Sequence, residues 1–217
     1  MWQTRAETMS TNTRDGHPLF AALYDGLGAF AERGWMGRRR YRLLAGAPGR
    51  VLEIGGGTGA NLPHYRDVAR VVVAEPDPHM RRRLRRKLGR ARVPVEVSEA
   101  GAEALPFADG SFDAVVSTLV LCSVSYQGEA LAEIRRVLRP GGRLLFIEHV
   151  RGEGSVARAQ DRVLPVWRPL FAGCHPNRDT LGSIRAAGFE IGALDRFVPP
   201  GPFTGLVPHV QREAFAP

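Results

Sequence analysis

The stretch VLEIGGGTGANL, residues 51–62, constrains this chain more than any other. A short apolar run that ends in an acid and passes into closely spaced glycines reads as a buried strand feeding a tight turn. Glycine enters the left-handed backbone region freely and lets a ligand approach the main chain. Gly55, Gly57 and Ala60 satisfy G-x-G-x-x-A, with Glu75 twenty residues beyond Gly55, which meets the loose fingerprint of a dinucleotide site. Glu53 argues against that reading. An ionised carboxylate at the loop end of the strand repels a pyrophosphate, which requires bare N–H groups at a helix N-terminus. The same acid suits a ligand bearing ammonium and sulfonium charges, and Glu75 at the end of a second strand suits ribose hydroxyls.

The rest of the chain alternates strand and helix signals. Strands are expected at 50–55, 70–76, 93–100, 112–124 and 143–150, with strand-like segments at 189–198 and 205–215. Helices are expected over the arginine-rich run at 80–92, over 128–139 before Pro140-Gly141-Gly142, and over 178–187 before Gly188. Alternation of this kind predicts an α/β fold: a doubly wound, mostly parallel, seven-stranded sheet with helices on both faces and ligands at the strand carboxyl ends. Residues 1–16 read as a flexible polar segment and 17–217 as one domain. Two stretches break the rhythm, a helical N-terminal segment at 17–46 and an apolar insertion at 151–177 after the fifth strand. Both can roof a pocket over the strand ends.

Glu53, Gly55, Gly57 and Gly59 with Glu75, followed by LPFADGSFDAVVST and LAEIRRVLRPGG, resemble the class I S-adenosylmethionine (SAM)-dependent methyltransferase family across residues 36–213. TLVLCSV, FIEHV, GC at 173–174, RDT at 178–180 and VPHV at 207–210 are similar to its methyltransferase-like 7 group, associated with methylation of small alkyl thiols. The resemblance implies SAM as cofactor, held by Glu53, Gly55, Gly57, Gly59, Asn61, Glu75, Pro76, Ala102, Glu103, Thr118 and Leu119. Many relatives carry an Asp before the Ala-Glu of AEALPF. Gly101 stands there in this chain, which leaves the adenine contact to Ala102 and Glu103. The acceptor pocket is expected from Tyr24, Phe30, Cys122, Trp167 and Phe171.

Animal members of the group carry an N-terminal membrane anchor, and no such apolar run occurs in this sequence. A cytoplasmic protein with no integral membrane segment is therefore expected, transient membrane-surface contact staying open. The net charge of +8 rests almost entirely on arginine, Lys87 being the lone lysine. Met80, Leu84 and Leu88 make the arginine run a solvated helix, and its lack of aromatic residues argues against nucleic acid.

The expected chemistry is methyl transfer to a small, partly apolar acceptor, a thiol first, with a hydroxyl, an amine, a quinone-like ring or a phospholipid headgroup as alternatives. The headgroup alternative rests on Arg38, Arg39 and Arg40. A basic-surface binding module would need a damaged glycine loop, and this loop is intact. His149 is the candidate general base, against the plainer reading of a strand-end histidine bonded to backbone. His175 and His209 are candidate polar partners of the acceptor pocket, without support from spacing. Cys122 reads as a small apolar wall residue, a disulfide to Cys174 is weakly motivated, and no metal is expected because the cysteine spacing is not that of a zinc site.

Overall fold

A computed structural model describes residues 32–201 and 205–216. Tyr24, Phe30 and the expected flexible segment at 1–16 lie outside the described residues. The two strands flanking the glycine loop, β1 (Arg50–Ile54) and β2 (Arg70–Ala74), are buried at every position after the first. Continuous β-branched and aliphatic runs of this kind suit the centre of a parallel sheet covered on both faces. Alternate residues of β1 feed two separate cores. Leu52 and Ile54 pack with Leu131 and Ile184 on one face, and Val51 packs with Leu44, Val71 and Leu84 on the other.

The remaining strands are β3 (Val95–Ser98), β4 (Phe112–Thr118), β5 (Leu138–His149), β6 (Glu190–Ile191), β7 (Asp195–Phe197) and β8 (His209–Phe215). They run in the order β3-β2-β1-β4-β5-β8-β6, with β7 also on β8. β1 to β5 are mutually parallel, and β8 runs antiparallel to β5. The expected seven positions appear as eight strands because the edge strand is broken. Glu190–Ile191 and Asp195–Phe197 both pair with β8, and the Arg212 guanidinium crosses at Gly192, where a Cβ would lie 2.8 Å from its nitrogen. Strand order reverses between β1 and β4, which puts the switch-point crevice beyond their carboxyl ends.

Among the described residues five α-helices cover the sheet: α1 (Trp35–Leu44), α2 (Pro78–Lys87), α3 (Gln127–Val137), α4 (Gly154–Leu170) and α5 (Thr180–Ala186). α2 starts where Asp77 accepts from the N–H groups of His79 and Met80, and it buries Met80 and Leu84. Among its arginines, Arg81 is partnered with the Glu75 and Pro76 carbonyls and both Arg81 and Arg85 with Glu99. The helix α3 ends three residues before Pro140, because Leu138 and the Pro-Gly-Gly turn already belong to β5. The insertion at 151–177 contains the helix α4, which its internal Pro165 and Pro169 concealed.

Two of the three arginines proposed for lipid contact are engaged within the chain. Arg40 is buried and donates to Glu32, Asn61 and Thr118. Arg39 donates to Asp195 at 2.6 Å and lies over the Phe197 ring, so of the three only Arg38 is exposed. No helix among the described residues is long and apolar enough to cross a membrane.

Candidate active site

A cavity of ≈ 1350 Å³ opens at the carboxyl ends of β1, β2, β4 and β5. Gly55, Gly57, Glu75, Pro76, Ala102, Glu103, Thr118 and Leu119 line one half. Cys122, His149, Trp167, Phe171 and the candidate His175 line the other, together with Cys174 and Arg178, which the sequence had not marked for the pocket.

Glu75 anchors the first half. Its Oε2 accepts the Gly57 N–H at 2.7 Å and its Oε1 accepts the Asp77 N–H at 2.8 Å. Burial raises the carboxyl above its ordinary range, and those two N–H groups pull it partly back. Each oxygen keeps a lone pair beyond the bond it accepts, and the side chain faces the cavity. Gly55 sits at φ = 54°, where a Cβ would strike Val120 at 2.6 Å. These features fit a nucleoside: a bare backbone wall, with an acid at the second strand end to take ribose hydroxyls. Ala102 is buried in the same half. The Glu103 carboxylate lines it too, tied to the Ser125 N–H at 2.9 Å.

Glu53, Gly59 and Asn61 stand behind the loop rather than on the cavity wall. Gly59 packs against α2, where a Cβ would lie 2.8 Å from Leu84. Glu53 accepts from the Tyr65 hydroxyl at 2.8 Å and from the Asn61 amide at 3.0 Å, and Asn61 in turn accepts from Arg40. The reading of Glu53 as an acid facing the ligand is therefore corrected: it is a buried post under the glycine turn. Burial raises its carboxyl from 4.5 to about 7, outweighing Tyr65, Asn61 and Arg40, which act in the opposite sense. Between pH 4.5 and 7 the folded chain then holds a proton that the unfolded chain has lost, so Glu53 withdraws stability as pH rises through that window. Thermal melts of Glu53→Gln should show a flatter dependence on pH there than wild type. An unchanged slope would refute the assignment.

Two features had no sequence signal. Leu119 adopts φ = 62°, unusual for a bulky residue, and donates its N–H to the Ile147 carbonyl at 2.8 Å. Glu148, fully buried, accepts from the Ser117 hydroxyl at 2.6 Å and from the N–H groups of Val120 (3.0 Å), Leu121 (3.2 Å) and Cys122 (3.4 Å). It holds the strained turn that carries the cavity wall from Thr118 to Cys122. Burial raises its carboxyl, which those donors pull back in part.

His149 is bonded neither as a free base nor to backbone: its Nδ1 lies 3.2 Å from Cys174 Sγ. Desolvation alone would lower this imidazole, yet the sulfur of Cys122 and the Glu148 carboxylate leave it raised. Cys122 and Cys174 are free thiols with sulfurs 3.6 Å apart. Proton sharing between the two sulfurs pushes Cys122 well above the ordinary thiol range and holds Cys174 below it. Trp167 stacks on Phe171 at 4.1 Å beside them. His175 carries a buried Nδ1 with no hydrogen-bond partner among the described residues. His209 lies off the cavity, its Nδ1 on the Val207 carbonyl and its ring edge against His149 at 4.4 Å. Burial lowers it to about 3.

Comparison with known proteins agrees with this geometry. The methyltransferase domain model matches residues 52–146. Human thiol S-methyltransferase TMT1B is 40% identical over 178 residues, covering 79% of this chain and 73% of its own. The ubiquinone/menaquinone biosynthesis C-methyltransferase UbiE of Klebsiella pneumoniae is 33% identical over 165 residues, covering 64% of this chain and 66% of its own. A SAM-dependent methyltransferase of Thermotoga maritima superposes with a TM-score of 0.66 at 21% identity, covering 92% of this chain and 98% of its own. The chain belongs to the class I SAM-dependent methyltransferase family, in the same group as the TMT1 proteins, and SAM is its methyl donor.

Proposed function

We propose that this methyltransferase methylates the sulfur of a small, partly apolar thiol, with Glu75, Pro76, Ala102, Glu103 and the Gly55–Gly57 backbone holding the cofactor. When bound, SAM supplies an electrophilic methyl carbon on a sulfonium, activated without help from the protein. The chain's work is to orient the acceptor, exclude water and favour its anionic form.

The observation that carries this reading is the charge of the acceptor half. Arg168 and Arg178 line the cavity beside Cys122, Cys174 and Trp167, and the Glu103 carboxylate, which also lines it, is tied to the Ser125 N–H. Such a wall stabilises a thiolate and disfavours an ammonium. Trp167 and Phe171 offer an apolar face for the acceptor's alkyl part. Arg178 is held in place by the Leu121 and Val124 carbonyls at 2.9 and 2.6 Å. The relative named as a thiol S-methyltransferase supports the same acceptor.

A matched series of alkyl thiol, alcohol and amine of one chain length, with a quinol added, tests the reading. The thiol should be methylated far faster than the rest. Methylation of the quinol or the amine with the thiol left untouched would overturn it.

A further inference from the structure

Cys122, His149 and Cys174 come from three separate segments: the turn after β4, the end of β5, and the loop after α4. The two Sγ atoms and a ring nitrogen of His149 all lie within 4.8 Å of one another. The sulfurs are 3.6 Å apart, and His149 Nδ1 is 3.2 Å from Cys174 Sγ. Tetrahedral zinc, with Zn–S near 2.3 Å and Zn–N near 2.0 to 2.1 Å, sets its ligands about 3.8 Å apart for two sulfurs and about 3.5 Å apart for sulfur and nitrogen. These two spacings need only a few tenths of an ångström of outward adjustment, and the third pair, Cys122 with His149, lies within 4.8 Å.

The donors are also held in place. Cys122 gives its N–H to Glu148 at 3.4 Å and accepts the His175 N–H at 2.8 Å. Cys174 gives its N–H to the Phe171 carbonyl at 3.0 Å, and the His149 carbonyl accepts from Thr180 at 3.1 Å. Two thiols and one imidazole form a soft set that selects zinc over magnesium or calcium. All three residues line the acceptor half of the cavity, so a bound ion would have an open side toward the acceptor.

We propose that Cys122, Cys174 and His149 bind one zinc ion through two thiolates and one imidazole, leaving the fourth position open to the acceptor cavity. Three protein ligands with one open position is the arrangement of catalytic rather than structural zinc. In the second part of the inference, which rests on the thiol reading above, the acceptor sulfur takes that fourth position. The thiol loses its proton to solvent on coordination, because a coordinating thiol is deprotonated outright. A carbon–sulfur bond then forms to the acceptor as the sulfonium carbon–sulfur bond breaks, and the neutral thioether, a poorer ligand, leaves. No oxidation or reduction takes part.

The test uses the full chain, reduced and stripped with a chelator, then titrated with zinc(II) or cobalt(II) alone. One equivalent should bind, the cobalt form should show thiolate-to-metal charge-transfer absorption, and zinc should shield both cysteines from alkylation. Cys122→Ser and Cys174→Ser should each weaken zinc binding about a hundredfold or more, since even outer partners of a zinc ligand are worth 10- to 100-fold. Wild-type alkylation protection needs no variant, so a misfolded mutant cannot shelter the proposal. Wild-type protein with both thiols free that takes up neither metal overturns the site. An alkyl thiol should then shift the cobalt spectrum. Metal binding without that shift overturns acceptor ligation while leaving the site. Undiminished thiol methylation by the metal-free chain overturns activation by zinc yet leaves the thiol reading intact.

Discussion

Replacing Glu75 with alanine should weaken SAM binding about a hundredfold or more, with the chain still folded. Hydrogen bonds to a charged partner contribute roughly 1.5 to 3 kcal/mol each, and two ribose hydroxyls facing one carboxylate therefore amount to about 3 kcal/mol or more. Glu75 also receives the Gly57 and Asp77 N–H groups, so its loss frees the glycine turn at the place where the cofactor meets backbone. Glu75→Gln separates the two contributions. It keeps one oxygen acceptor but brings an NH₂ group against a backbone N–H, and its affinity should fall between wild type and alanine. Calorimetry reads the dissociation constants, and a melting curve reads the fold. Wild-type affinity in both variants would mean that the nucleoside lies elsewhere.

The second large effect belongs to Glu148. Its carboxylate takes one hydroxyl and three backbone N–H groups in a fully buried position. Glu148→Ala leaves those donors without a partner, and a buried unsatisfied polar group costs roughly 1 to 3 kcal/mol. A loss of at least about 3 kcal/mol follows, which for a chain of this size lowers the melting temperature by about 10 °C. Glu148→Gln should fare little better at the oxygen that becomes an NH₂ group, because donor would then face donor. The residue positions rather than reacts. Its distinguishing readout is a rise in KM for the acceptor in whatever folded fraction remains, since the turn it holds carries Val120 and Cys122 on the cavity wall. A variant that melts like wild type would refute this role.

The sheet was legible because its strands are short, wholly apolar runs punctuated by glycine and proline. What the pattern missed was local. The prolines of α4 hid a helix, and the gap at Gly192 split one edge strand into two. In the site, Gly55, Gly57 and Glu75 were readable because turn geometry and strand-end chemistry leave a mark at fixed spacing. The role of Glu53 was misread because spacing shows which strand end an acid occupies but not that Tyr65 and Asn61 enclose it. Glu148 gave no signal, being one acid in an apolar strand whose partners come from the neighbouring strand and the turn after it. The meeting of Cys122, His149 and Cys174 was hidden for a related reason: no local spacing links ligands drawn from three segments, and tertiary structure alone unites them. That Arg39 and Arg40 are held by side-chain partners was hidden because charge was counted without its surroundings.

In the proposed function one cavity holds the cofactor against Glu75 and the acceptor against Trp167 and Phe171. The most direct measurement is calorimetric titration of the full chain with SAM and with NADH, followed by an alkyl thiol added to protein saturated with S-adenosylhomocysteine. One SAM site, no NADH binding, and thiol binding to the loaded protein without displacement of S-adenosylhomocysteine are expected. Binding of NADH in place of SAM, or a thiol that expels S-adenosylhomocysteine, would contradict the proposed function.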